Sequence, residues 1–169
     1  PFMTLFRSEN PHTMIKFKEL LVSPNEMKQK FIRLINEEIK NKKAGKEAYI
    51  KVKINHITDE LMVKKLYEAA EAGVQVDLLV RGNCSLKPNL KSLNGNMKVV
   101  GIIDRYLEHA RIFIFAAGGL NKTFLGSADW MPRNLDHRVE VITPVYDEDI
   151  KANLRKVVEY GLKDTLQGR

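Results

Sequence analysis

The sequence predicts an α/β domain in which helices flank a mixed β-sheet, and three observations predict it. Residues 49–80 read strand, helix, strand with short connections, a βαβ unit that requires parallel strands and a right-handed crossover. Residues 112–115 and 123–125 read as paired strands turned at Gly118-Gly119 and Asn121, which adds an antiparallel component. Amphipathic helical patterns precede and follow these strands, so helices are available to flank the sheet.

Taken in order, residues 1–22 lack a periodic pattern and end in the apolar patch Leu20-Leu21-Val22. They are expected to form an N-terminal segment packing on the domain or on a neighbour outside the chain, with 23–169 forming the domain proper. Phe2-Met3-Thr4-Leu5-Phe6 behind Pro1 favours a piece of a longer protein. Ser23-Pro24-Asn25-Glu26 reads as a helix start: Ser23 can cap, Pro24 suits the first helical position and Glu26 completes a capping box. Met27, Phe31, Leu34, Ile35 and Ile39 recur at helical spacing, so one face of a helix over 24–43 is buried. Lys40, Lys42 and Lys43 complement its C-terminal dipole, and Gly45 lies just beyond.

Tyr49-Ile50-Lys51-Val52-Lys53-Ile54 alternates as a strand does. Thr58 can cap a second helix, with Asp59 and Glu60 in its first turn and Gly73 as its stop. Residues 74–80 form the second parallel strand. Ligands in open α/β sheets gather beyond the carboxyl ends of the strands, which places Asn55, His56, Arg81 and Gly82 at the ligand edge. Residues 87–96 are a turn-rich connector, 97–103 a third strand, 139–143 a further strand, and 147–160 a closing helix with Asp147, Glu148 and Asp149 at its N-terminus.

Totals bound the function. The 169 residues carry 28 Lys+Arg against 21 Asp+Glu, a net charge of +7 that attracts polyanions without choosing among them. No apolar run approaches the roughly 18 residues that span a bilayer, and no segment has the order of a secretory signal. The single cysteine, Cys84, excludes an internal disulfide framework and reads as a buried free thiol, so cytoplasm is the expected compartment, with peripheral placement at an inner membrane left open.

One stretch carries chemistry. In His109-Ala110-Arg111 the histidine and the cation share a face of an extended chain, and the paired strand returns Gly126-Ser127-Ala128-Asp129 toward them. A proton-transfer group, a fixed positive charge and a small-residue turn are what phosphate chemistry needs. This resembles the signature of the phospholipase D superfamily, His-x-Lys before Gly-Ser-x-Asn. It departs by Arg111 for the lysine, Asp129 for the asparagine and extra residues around Gly118-Gly119.

The departures point to a more specific resemblance. Leu79-Val80-Arg81-Gly82-Asn83-Cys84-Ser85-Leu86, Ile103-Asp104-Arg105-Tyr106-Leu107-Glu108-His109 and the run from Ser127-Ala128-Asp129-Trp130-Met131 through Arg138-Val139-Glu140-Val141 closely resemble the C-terminal domain of bacterial polyphosphate kinase, the second of its two phospholipase D-like domains. Leu20-Leu21-Val22-Ser23-Pro24 and Leu66-Tyr67-Glu68-Ala69-Ala70 also match, so the resemblance covers essentially the whole chain.

The resemblance implies a phospholipase D-like fold that contributes half of an active site. It implies reversible transfer of the terminal phosphate of ATP to polyphosphate through a phosphohistidine in a preceding domain, with Mg2+ held there and ATP or ADP as substrate. Arg81 matches a nucleotide-phosphate arginine, and His109 the histidine proposed as general acid and nucleotide contact. Arg138 is a further phosphate contact, while Arg111 and Asp129 support the site by orienting His109. No metal ligand is assigned to this chain. Expected partners are ATP, inorganic polyphosphate, the preceding domains and further copies in a homo-oligomer, with no nucleic acid. The isolated domain is expected to be inactive. Trp130 reads as core, and His137 and His56 as bystanders, His56 standing where the family would have a small polar residue. Asp136 is either an ion-pair partner of Arg138 or part of the site. A phospholipase D-type phosphodiesterase and a non-enzymatic polyanion-binding module are the competing readings.

Overall fold

In the computed structural model, which describes residues 17–102 and 107–164, seven strands form one sheet. They are β1 (Leu21–Ser23), β2 (Tyr49–Ile54), β3 (Gln75–Val80), β4 (Met97–Gly101), β5 (Arg111–Phe115), β6 (Lys122–Gly126) and β7 (Glu140–Val145). β2 and β3 pair in parallel from Tyr49–Gln75 to Ile54–Val80, and β4 continues in parallel beyond β3. β5, β6, β7 and β1 follow antiparallel on the other side of β2, giving the order β1-β7-β6-β5-β2-β3-β4. The sheet is mixed and helix-flanked, as the sequence predicts.

Alternation along β5 explains the layering. Phe113 and Phe115 point to one face, Ile112 and Ile114 to the other, and every residue of β5 is buried. The first face carries the larger core, shared with Met27, Phe31 and Ile35 of α1 (Met27–Lys43) and Met62 and Leu66 of α2 (Glu60–Glu71). The second packs Ile112, Ile114 and Leu79 against Val158 and Leu162 of α3 (Glu148–Lys163). Lys51 of β2 reaches Glu159 of α3 at 2.6 Å, so a strand lysine ties the sheet to its helix.

Three local readings are corrected. Ser23 does not cap α1, which begins at Met27 with Glu26 as N-cap and no side-chain cap bond. The Ser23 hydroxyl donates to Arg138 O at 2.7 Å and accepts from Glu140 N at 3.1 Å, because it belongs to edge strand β1 rather than to a helix entry. Leu21 and Val22, read as the end of an irregular segment, pair in that strand with Ile142 and Val141. The cap of α2 is Asp59 rather than Thr58; its Oδ1 accepts from Met62 N at 3.0 Å, the spacing a cap requires. Residues 1–16 and 103–106, including Ile103, Asp104, Arg105 and Tyr106, lie outside the described residues.

Apolar periodicity gives no sign of Glu38, which is buried on α1. Its Oε1 accepts from Ala117 N at 2.6 Å and its Oε2 from Tyr49 N at 3.2 Å, so one carboxyl joins the helix to β2 and to the turn after β5. Burial pushes its pKa from the ordinary 4.5 up to about 7. The folded chain therefore holds this proton more tightly than the unfolded chain. The contribution is fully present below about pH 4.5 and is lost as pH rises through about 7. Urea unfolding is expected to show lower stability at about pH 8 than at about pH 5, with Glu38→Gln, which cannot ionise, removing most of that difference.

Candidate functional site

The parallel pair directs its carboxyl ends to one edge, where Asn55-His56 leave β2 and Arg81-Gly82 leave β3. Because β5 runs antiparallel to β2, its first residue, Arg111, starts at that same edge. β6 pairs Gly126 with Arg111 and so delivers Ser127, Asp129 and Trp130 there. Gly126 is required by close approach, since a Cβ would stand 2.4 Å from Val141 O on β7.

Trp130 anchors the junction. Its ring is fully buried against Phe31 and Phe113, with centroids 5.3 and 5.5 Å away. Its backbone N–H donates to His56 O at 3.1 Å, and its carbonyl accepts from Thr58 N and Asp59 N, each at 2.9 Å. The loop after β6 is thus fastened along the loop after β2. Trp130 is a core residue, as the sequence predicts.

Asp129 sits between these loops. Its Oδ1 accepts from Asn55 N at 3.0 Å and Arg111 Nε at 3.1 Å, and its Oδ2 from Arg111 Nη2 at 2.9 Å. Arg111 is 9% exposed and Asp129 4%. Burial works to raise the Asp129 pKa, but the bond and charge of Arg111 and the bonds from Asn55 outweigh it and hold the carboxyl below its ordinary range. The pair is bidentate, the geometry that a guanidinium supplies and an ammonium does not.

Arg111 also reaches outward. Nη1 donates to His109 O at 3.0 Å and lies 2.9 Å from His109 Nδ1. A guanidinium has no acceptor, so this contact is a hydrogen bond only when Nδ1 is unprotonated and the neutral ring carries its proton on Nε2. The charge of Arg111 is the main cause of a lowered His109 pKa, followed by burial and the charge of Arg81. The residue itself is exposed.

A cleft of about 510 Å³ opens above this junction. His56, His109, Arg111, Asp129, Arg133, Asn134, Arg138 and Glu140 are among the residues that line it. Arg133 opens a single π turn over Arg133–His137, and Arg138 follows it, its N–H closing on Arg133 O at 2.9 Å. Among the described residues, neither guanidinium has a side-chain partner. Asn134 Nδ2 donates to Glu140 Oε1 at 2.6 Å, so both carboxylates of the cleft are already engaged.

Arg81 lies beside the cleft, in a small cavity with Lys53 and Glu108. Among the described residues its Nη1 is buried with no hydrogen-bond partner. Lys53 pairs with Glu108 at 2.9 Å, which steadies the segment leading into His109. The edge therefore gathers His109, Arg111, Asp129 and Arg138, with Arg81 adjoining. His137 does not line the cleft. Asp136 pairs with Lys28 at 3.0 Å rather than with Arg138, because the π turn swings it toward α1. The thiol of Cys84 is half-buried, and burial raises its pKa. Sequence reasoning missed Arg133 and Lys53, and His56 lines the cleft it was set apart from; position at a strand end was the available signal for His56.

Among the described residues no cluster of three or more His, Cys, Asp or Glu is placed to hold a metal ion. Nor is any described helix long and apolar enough to cross a membrane.

Comparison with known proteins assigns the frame. Residues 20–169 match the family model for the polyphosphate kinase C-terminal domain 2. A polyphosphate kinase of Vibrio cholerae is 41% identical over 161 residues, covering 95% of this chain and 23% of that protein. The chain thus spans about a quarter of the length of the curated relatives it matches, 23% in that case. The crystal structure of the polyphosphate kinase from Porphyromonas gingivalis superposes with a TM-score of 0.89 at 38% identity, over 99% of this chain and 26% of that one. Nuc from Salmonella typhimurium, a phospholipase D family member, superposes with a TM-score of 0.60 at 12% identity over 89% of this chain and 95% of its own, a likeness of fold alone.

The buried pair predicts a specific energetic pattern. Asp129→Ala leaves a buried guanidinium and the Asn55 N–H without their acceptor, and is expected to cost about 3–5 kcal/mol in urea unfolding. Adding Arg111→Met to Asp129→Leu is expected to recover much of the loss, because a well-packed apolar pair replaces a buried ion pair at small net cost.

Proposed function

The chain belongs to the polyphosphate kinase C-terminal domain 2 family, and we propose that it supplies half of a two-part active site for reversible transfer of the ATP terminal phosphate to polyphosphate. The observation that carries this reading is the Arg111 donor at His109 Nδ1. A nucleophilic imidazole attacks through an unprotonated nitrogen, and here the free nitrogen faces Arg111 while Nε2 keeps its proton. In this tautomer the neutral His109 ring offers a donor at Nε2 rather than a free lone pair. The resemblance to polyphosphate kinase implies that the nucleophile, a histidine that becomes phosphorylated, lies in a preceding domain, and the engaged Nδ1 of His109 agrees with that reading.

In this scheme the bond between the γ-phosphorus of ATP and its bridging oxygen breaks as a nitrogen–phosphorus bond forms on that histidine, and ADP leaves. A terminal oxygen of polyphosphate then attacks the phosphorus and frees the histidine. Arg81, with an unpaired buried Nη1, and Arg138, with no partner among the described residues, offset the charge spread over the phosphoryl oxygens. His109 acts as general acid toward the leaving oxygen. Arg111 and Arg81 depress its pKa in the free chain, and the negative charge of bound phosphate opposes them, so substrate arrival favours the doubly protonated ring, which gives up the Arg111 Nη1 bond to Nδ1 that the neutral resting ring accepts.

Magnesium is expected on the preceding domain, where it offsets phosphate charge. The residues of this cleft do not fit it, because Asp129 and Glu140 are engaged by Arg111 and Asn134. ATP or ADP and inorganic polyphosphate are the substrates, the preceding domains complete the site, and the full-length protein works as a homo-oligomer in the cytoplasm or at the inner membrane surface. The proton on Nε2 weighs against a phospholipase D-type phosphodiesterase built on His109 as nucleophile.

Incubating the purified chain with labelled ATP and polyphosphate is expected to give no sustained phosphate transfer; turnover by this domain alone would reject the divided site. In the full-length enzyme, His109→Ala is expected to lower kcat about a hundredfold or more while leaving the melting temperature of the domain unchanged, since the side chain is exposed. Near-normal turnover with retained, steeply salt-dependent polyphosphate binding would instead favour a non-enzymatic polyanion module.

A further inference from the structure

His56 has no part in the scheme above, yet it lines the same cleft as His109. Its backbone is fixed by the junction: its N–H lies 3.4 Å from Asp129 Oδ1, and its carbonyl accepts from Trp130 N at 3.1 Å. Its ring is fixed by the turn after β3, where Nδ1 accepts the Asn83 N–H at 3.0 Å. Gly82 makes that contact possible, since a Cβ there would stand 2.5 Å from His56 Cε1 and 2.8 Å from Nδ1. The Cε1–Nδ1 edge is therefore packed on backbone, which leaves the Nε2 side for the cleft.

A donor at Nδ1 forces the proton of a neutral imidazole onto Nε2. His56 thus offers an Nε2–H, and His109 offers one for the same reason, with Arg111 in place of Asn83. Two rings of the same polarity cannot satisfy each other. Asp129 accepts from Arg111 and Glu140 accepts from Asn134, so the cleft has more donors than its own acceptors use. Beside them stands Arg138, whose guanidinium has no partner among the described residues. An oxygen-rich anion matches this set, and a cleft of about 510 Å³ is roomier than a single phosphate needs.

We infer that His56 is a second phosphate-binding imidazole of this cleft, donating its Nε2–H to a condensed phosphate chain alongside His109. This rests on the polyphosphate kinase reading and assigns a residue that the reading leaves idle. Its role is binding and alignment of the chain rather than proton transfer.

The test uses the 169-residue chain and sodium tripolyphosphate, with affinity read by titration calorimetry at low salt. His56→Ala is expected to weaken binding about tenfold, the loss of one hydrogen bond to a charged oxygen. His56→Gln keeps an N–H donor and is expected to recover most of that loss, while His137→Ala, outside the cleft, is expected to bind as the unaltered chain does. In NMR spectra of the unaltered chain with isotope-labelled histidine, the His56 Nε2 signal is expected to shift on saturation. Unchanged affinity in a folded His56→Ala chain overturns the inference. So does a His56 Nε2 signal unmoved at saturation, and that readout decides if the variant fails to fold. Loss of binding with His109→Ala but not with His56→Ala overturns this inference while the functional reading stands. A chain that binds no tripolyphosphate at all overturns both.

Discussion

The buried pair of Arg111 and Asp129 is the interaction on which the rest of this site depends. It stands where three chain segments meet: the end of β2, the start of β5 and the loop after β6. Both side chains are almost wholly removed from water, a costly arrangement that only complete hydrogen bonding offsets. Asp129 achieves this by accepting from Arg111 on both oxygens and from the Asn55 backbone. Nη1 of Arg111 is then committed to His109. One ion pair therefore closes the loops, aims the histidine and chooses its tautomer.

With the Nδ1 lone pair facing a guanidinium, the neutral His109 ring carries its proton on Nε2 and offers it as a hydrogen-bond donor. Around it Asp129 and Glu140 are hydrogen-bonded, while among the described residues the Arg138 guanidinium and Arg81 Nη1 have no hydrogen-bond partner. Such an edge is preorganised for negative charge. The fold that supplies the edge is shared with Nuc, and at 12% identity that likeness extends to the fold alone.

Much of the architecture was legible because it is written in local pattern. The helical face of Met27, Phe31 and Ile35, the alternation of β2 and the Asp147 start of α3 each reflect a period or a cap that a short window contains. Three features were not legible, each for a physical reason. β1 is three residues long and pairs with β7, more than a hundred residues away, so nothing local marks it. Ser23 looked like a cap because capping and edge pairing use the same hydroxyl. Glu38 breaks the apolar stripe of α1, and its burial makes sense only once Ala117 N and Tyr49 N are seen to need an acceptor.

The sequence by itself determined the fold class, the edge at which Arg81, His109, Arg111 and Asp129 gather, and the family, whose resemblance added Arg138. Strand ends and motif spacing encode such things, since the chain direction of a parallel pair decides which residues share an edge. Tertiary structure alone decided the pairings: Asp136 with Lys28 rather than Arg138, Arg111 with both Asp129 and His109, and Asn83 with the ring of His56. Hydrogen bonds are short and directional, so which donor meets which acceptor is settled by ångström-scale packing that no one-dimensional pattern records. His56 shows the difference most clearly, a bystander in sequence that the turn at Gly82 and Asn83 turns into the cleft.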